Sequence, residues 1–266
     1  MSATKFFTTN DVTLHYKTEG QSGSTPIVFL NSLGSDLRIW DNIVPYLAER
    51  HPIIRYDKRG HGLSDCPPAP YSIRDHTNDV AALVEFLGHE KAILIGDSVG
   101  GMIALDYAIQ YPERADALVL CDTAAKLGTA DYWQERIEAL QASGYSQLAE
   151  MILSRWFSPG YSEHSPAEYS GYRNMLIRTP LAGYIGTCQA IRDADLRGPA
   201  QDMIVPALVL CGAEDSATPP ELVGELAEML PNARFELIEN AGHIPSIEQP
   251  QVMAEKIKSF LEECNG

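Results

Sequence analysis

The chain has few cations for its size. Its 266 residues carry 20 Lys+Arg against 36 Asp+Glu, a formal net charge of −16 and a pI near 4.8. Nucleic-acid phosphates and anionic membranes both require a cationic face, so this balance argues against either partner. No run of about 20 apolar residues exists to span a bilayer. The opening segment, residues 1–16, lacks the apolar stretch of a secretory leader, so none is expected. Cysteine is scarce, odd in number (66, 121, 188, 211, 264) and without a CxxC pair. That pattern predicts free thiols in a reducing cytoplasm. There is no dinucleotide fingerprint and no His/Cys/carboxylate cluster at metal-ligand spacing, so neither metal nor organic cofactor is expected. Repeats and low-complexity tracts are also missing.

What is present is an alternation of short apolar runs and longer amphipathic ones. TLHYK (13–17) alternates and predicts an antiparallel edge strand. IVFL (27–30), IIRY (53–56), AILIG (92–96), ALVLC (117–121), ALVLC (207–211) and RFELI (234–238) are nearly continuous. Continuity predicts strands covered on both faces, as in a parallel sheet. Helical spacing is seen over 36–49, 73–87, 99–111, 219–230 and 247–263. Repeated β-α-β units predict an α/β fold with a mostly parallel, doubly wound sheet. Residues 124–200 break the rhythm with helical patterns and loops only. They read as a helical lid inserted between two strands, leaving 1–123 and 201–266 as the core.

The sharpest motif is Gly96-Asp97-Ser98-Val99-Gly100-Gly101, between a predicted strand and a predicted helix. That context is what G-x-S-x-G requires: a serine on a tight strand-to-helix turn, exposed at the helix N-terminus where negative charge is favoured. Ser98 is the expected nucleophile. A serine hydroxyl needs a base, and of seven histidines His243 in Asn240-Ala-Gly-His243 follows the last predicted strand. The chain order Ser, acid, His points to a carboxylate after the preceding strand. Asp215 in Gly212-Ala-Glu214-Asp215 is the choice, with Glu214 as the spare. The residue after the nucleophile, Val99, supplies one expected oxyanion donor, and Leu33 in Asn31-Ser32-Leu33-Gly34 the other. The polar cluster Tyr56-Asp57-Lys58-Arg59-Gly60-His61-Gly62 reads as a structural loop beside the site. His61, His76, His89 and His164 read as structural or solvated.

Together these motifs resemble the α/β-hydrolase superfamily along the whole chain. The insertion narrows the resemblance. Asp122-Thr-Ala-Ala-Lys126, Trp133, Arg155-Trp156-Phe157, Met175-Leu-Ile-Arg178-Thr-Pro180, Gly183-Tyr184, Cys188 and Ile191-Arg192-Asp193-Ala194-Asp195 resemble the 3-oxoadipate enol-lactonases of the aromatic-degrading β-ketoadipate pathway. The resemblance implies hydrolysis of 3-oxoadipate enol-lactone, a small anionic lactone, through an acyl-enzyme. Some members carry a fused decarboxylase, for which no room is expected after Gly266. Asp97 departs from the Leu or Gln frequent before the nucleophile in this group. Other capped serine hydrolases remain open: a carboxylesterase, a perhydrolase or haloperoxidase-like enzyme, a carbon–carbon bond hydrolase. A non-catalytic ligand receptor on the same scaffold is the reading from another class.

The charge itself is uneven. Residues 1–123 carry a net −6 and residues 201–266 a net −9, but residues 124–200 only −1. Six of the seven cations in the insertion are arginines, the side chain suited to bidentate carboxylate recognition. Arg136, Arg155 and Arg178 are therefore expected at the substrate, together with Trp133 and Trp156 of the segments that carry the resemblance. At least one of Arg136, Arg155 and Arg178 should face the pocket. The sequence leaves the oligomeric state open.

Overall fold

The computed structural model describes residues 4–9 and 11–264. Eight strands form one sheet in the order β1-β2-β4-β3-β5-β6-β7-β8. They are β1 Lys5–Thr8, β2 Thr13–Glu19, β3 Ile27–Leu30, β4 Ile53–Tyr56, β5 Ala92–Asp97, β6 Ala115–Cys121, β7 Ala207–Gly212 and β8 Ala233–Ile238. β2 pairs antiparallel with β1 and β4; every pair from β4 through β8 is parallel. β3, β4, β5 and β7 are buried at every position. Helices cover both faces of a parallel sheet, so these strands need apolar side chains on both sides.

Four local expectations need correction. TLHYK is not the edge, because β1 pairs outside it. β1 has only four residues, mostly exposed, and so carries no apolar run to read. RFELI is not covered on both faces. β8 is the far edge of the sheet, with Phe235 and Leu237 partly exposed. Residues 36–49 do not form one helix. A 3-10 turn over Leu37–Trp40, capped by Asp36, is followed by a single helical turn over Val44–Leu47. Pro45 has no N–H to donate, so it fits only at the start of a helix. Pro250 divides the last helical run in the same way, into Pro245–Glu248 and Pro250–Cys264.

Between β6 and β7 the chain is helical. The longer helices are Ala130–Ser143, Pro166–Arg178 and Leu181–Asp193. This layer sits over the carboxyl ends of the strands and touches the core backbone directly. A Cβ built on Gly183 would lie 2.2 Å from the Gly60 carbonyl oxygen, and one on Gly60 would lie 2.5 Å from Gly183 Cα. Only paired glycines allow that approach. Thr179 Oγ1 also donates to the Gly34 carbonyl at 3.2 Å.

Candidate active site

β5 ends at Asp97 and the helix Val99–Gln110 starts two residues later, so Ser98 must turn the chain sharply. It does so at φ 56°, ψ −119°. Few non-glycine residues adopt a positive φ, and such strain clusters at functional sites. The turn is held from both sides. Ser98 N–H donates to Cys121 O at 2.9 Å, and Thr123 Oγ1 donates to Ser98 O at 2.6 Å. A Cβ on Gly100 would lie 2.1 Å from Leu30 O, so the helix packs against β3 only because Gly100 lacks one.

His243 follows β8 on a loop that also carries Asn240 at φ 55°. Its Nδ1 lies 2.8 Å from Asp215 Oδ2. Every other contact of Asp215 is with a donor. Oδ1 accepts Ala217 N–H at 2.7 Å and Thr218 N–H at 3.1 Å, and Oδ2 accepts Thr218 Oγ1 at 2.6 Å. A carboxylate accepting four bonds is ionised, so Nδ1 carries the imidazole proton and Nε2 is left bare. Burial opposes the charge on Asp215, but His243 and these donors hold its pKa below the usual range. Burial likewise opposes charge on His243, yet Asp215 raises its pKa above 6.5. Glu214, the spare acid, is exposed.

Ser98 and His243 open on one cavity of about 430 Å³. Ser98 Oγ makes no hydrogen bond among the described residues. Leu33 lines the same cavity, and its N–H has no acceptor among the described residues. Val99 is the first residue of its helix, so its N–H lacks an intrahelical acceptor. Asp97 is fully buried, and its Oδ2 has no hydrogen-bond partner among the described residues. Burial lifts its pKa to about 7, against the pull of His243 and Lys58.

The opposite wall comes from the helical layer. Trp133, Trp156, Arg136 and Arg155 all line the cavity. Arg136 Nη1 and Arg155 Nη1 donate to the same phenol oxygen, Tyr132 Oη, at 3.1 and 3.0 Å. Arg136 also donates to Tyr184 Oη, stacks over the Trp133 ring at 5.4 Å, and leaves Nε buried without a partner. Neither arginine meets a carboxylate within 4 Å among the described residues. By contrast Lys126, Arg173, Arg192 and Arg197 are all engaged by Asp or Glu. Arg178 is not in this cavity. It lies at the last turn of its helix, exposed, and lines a separate cleft with His15, Asp36 and Arg38. The core loop Asn31–Leu37 runs between the two spaces.

Tyr132, Tyr184 and Thr218 were not anticipated at the site. Thr218 had a signal: a hydroxyl three residues after an acid is a common local partner. The tyrosines had none, since a helical aromatic reads as core. The fold also assembles Asp122, Cys211 and Asp215, whose ligand atoms lie within 4.8 Å of one another. Spacing along the chain hides this group, because Asp122 ends a different strand. Its donor set fits poorly to a cation. Asp215 already accepts four bonds, Asp122 Oδ1 takes the Gly212 N–H at 2.8 Å, and the Cys211 thiol donates to Gly212 O. Burial, with Asp215 and Asp97 nearby, raises the pKa of Asp122 and so disfavours the charge a cation would need.

The loop after β4 braces the backbone beside the site. Asp57 accepts Leu37 N–H and Leu63 N–H at 2.9 and 2.8 Å, and Arg59 forks onto Asp79 at 2.7 Å twice. His61 Nε2 accepts the Gly34 N–H at 3.1 Å.

Residues 25–250 match the family described as the alpha/beta hydrolase fold. The chain is 35% identical to 3-oxoadipate enol-lactonase 2 of Acinetobacter baylyi over 97% of its own length and 96% of that protein. It is 31% identical to 3-oxoadipate enol-lactonase 1 of the same organism, over 94% and 93%. The solved enol-lactonase of Burkholderia xenovorans superposes with a TM-score of 0.93 at 36% identity, over 97% of this chain and 100% of that one. No helix among the described residues is long and apolar enough to cross a membrane. A serine on a strained strand-to-helix turn, a histidine–aspartate pair opening on the same cavity, and similarity along nearly the whole chain thus converge: the chain belongs to the α/β-hydrolase family and is a hydrolase.

Proposed function

We propose that this enzyme hydrolyses 3-oxoadipate enol-lactone to 3-oxoadipate in the β-ketoadipate pathway of aromatic catabolism, in the cytoplasm. Ser98 is the nucleophile, His243 the base and Asp215 its orienting acid. Residues 124–200 form the lid. The observation that carries the substrate is the pair Arg136 and Arg155. In a protein of net charge −16, two arginines without acidic partners face the nucleophile's cavity. An anionic substrate completes them. The relatives named enol-lactonase point to the same chemistry.

His243 Nε2 takes the Ser98 proton as Oγ bonds to the lactone carbonyl carbon. Leu33 and Val99 N–H groups stabilise the oxyanion, one such donor being worth about 3–4 kcal/mol. Collapse breaks the ring C–O bond and expels an enolate, which takes the proton from His243 and tautomerises to the ketone. Water then gives a proton to His243 as its oxygen adds to the acyl carbon. Ser98 leaves with that proton, and the acid is released. Arg136 holds the remote carboxylate throughout.

The test follows loss of the enol-lactone absorbance. Wild type is expected to turn over, and Ser98→Ala to lose activity by at least about a thousandfold. Cleavage of p-nitrophenyl acetate without lactone turnover would make this a general esterase. Failure of a fluorophosphonate to label Ser98 would favour a receptor.

A further inference from the structure

We propose that Lys58 is a positioning residue for the oxyanion hole: its ammonium holds the Ser32 carbonyl and so locks the Ser32–Leu33 peptide with its N–H toward the cavity. The proposal rests on Leu33 serving as an oxyanion donor, as read above.

Lys58 is 1% exposed. Its Nζ donates to Ser32 O at 2.6 Å and to Ser35 O at 3.3 Å. No carboxylate lies within 4 Å of it among the described residues, so this is not a structural ion pair. A trans peptide is planar, with its C=O and N–H pointing in opposite directions. Anchoring Ser32 O on one side of the loop therefore aims Leu33 N–H to the other. Ser32 lines the cavity, as does Leu33.

The flanking residues have their own anchors. Asn31 Nδ2 donates to Tyr56 O at 2.7 Å and Asn31 Oδ1 accepts Trp40 Nε1 at 2.8 Å. Gly34 N–H is held by His61. Among the described residues the Ser32–Leu33 peptide is bonded through its carbonyl alone, to Lys58 and to the Ser35 N–H and hydroxyl. The Ser35 bonds belong to the turn itself and move with it. Lys58 is the anchor from outside the turn.

Burying an ammonium is costly unless it is well bonded. Burial pushes the Lys58 pKa down to about 7, while Asp57, Asp36 and Asp97 support the charge. Either protonation state retains an N–H for Ser32 O, so the lock works on both sides of neutrality.

The test compares Lys58→Met with wild type and Lys58→Met/Asp97→Asn with Asp97→Asn, all on the pH plateau of activity, the double variant removing both buried charges in case the single one does not fold. Each is assayed on p-nitrophenyl acetate, which does not depend on the lactone reading, and for inhibition by phenylboronic acid, whose tetrahedral serine adduct uses the oxyanion hole. Thermal unfolding is followed in parallel. The expected result in whichever variant folds is a kcat lower by about 10- to 100-fold with KM within threefold. Boronate affinity should weaken by a similar factor. A folded variant with kcat and boronate affinity within threefold of its reference overturns the proposal. Equal losses in kcat and substrate binding would also overturn it, indicating a merely structural lysine. Wild type that neither cleaves the ester nor binds the boronate would instead sink the serine-hydrolase reading, and this proposal with it.

Discussion

Thr218 Oγ1 donates to Asp215 Oδ2 at 2.6 Å, and that same oxygen receives His243 Nδ1. The hydroxyl oxygen also stands 3.2 Å from His243 Nδ1, but a neutral acceptor weighs less than the competition with the imidazole for the charge of the acid. Removing the hydroxyl in Thr218→Val should leave more of the carboxylate's charge for His243 and raise the imidazole pKa further. The acid limb of the kcat/KM profile should move to higher pH, with the alkaline plateau reduced severalfold as the acid loses an anchor. An unmoved limb would show that Thr218 only fills space.

The acid limb of wild type should itself lie above 6.5, because Asp215 outweighs burial at His243. The base must be neutral to act, so activity rises as pH passes upward through this value. Asp97 also favours the imidazolium. Asp97→Asn should therefore move the limb to lower pH, which a pH–rate series on either ester or lactone reads directly.

Arg136→Met should raise KM for an anionic lactone by about 10- to 100-fold, the worth of a charge-assisted hydrogen bond at 1.5–3 kcal/mol. KM for a neutral ester should change little. Arg155→Met should act in the same direction but less, since it reaches the cavity through one bond to Tyr132. Equal effects on charged and neutral substrates would remove carboxylate recognition from these residues.

His61 and His76 are fully buried, and burial lowers both well below the ordinary value of 6.5. The unfolded chain then binds more protons than the folded one below that pH, so stability falls with acidification. The melting temperature should drop as pH decreases from 6.5 toward 5. His76→Leu, which removes a buried Nδ1 without a partner, should flatten the slope. An unchanged slope would assign the acid sensitivity elsewhere.

Much of the sheet and the candidate site could be read from residue patterns. Continuous apolar runs mark strands buried on two faces, and β5 followed by Gly-x-Ser-x-Gly places Ser98 on its turn. Asp215 and His243 follow from strand order. The edges were harder. β1 and β8 face solvent on one or both sides, so β1 shows no run and β8 resembles its buried neighbours in composition. The partners of the arginines were out of reach for another reason. Arg136 and Arg155 are 19 residues apart on separate elements, and only packing brings both to Tyr132. Arg178 shares their chemistry, yet its place at the end of its helix turns it to the other side of the Asn31–Leu37 loop.

The contact of Gly60 with Gly183 bears on any exchange of the helical layer. It ties a core loop to the helical layer at a distance no side chain tolerates. Exchanging residues 124–200 for the corresponding layer of a relative would succeed only where the graft brings a glycine to this point. A graft with alanine there would be forced off the sheet, taking the arginines with it. The position of the helical layer over the cavity therefore depends on the loop that seats it as much as on the layer's own side chains.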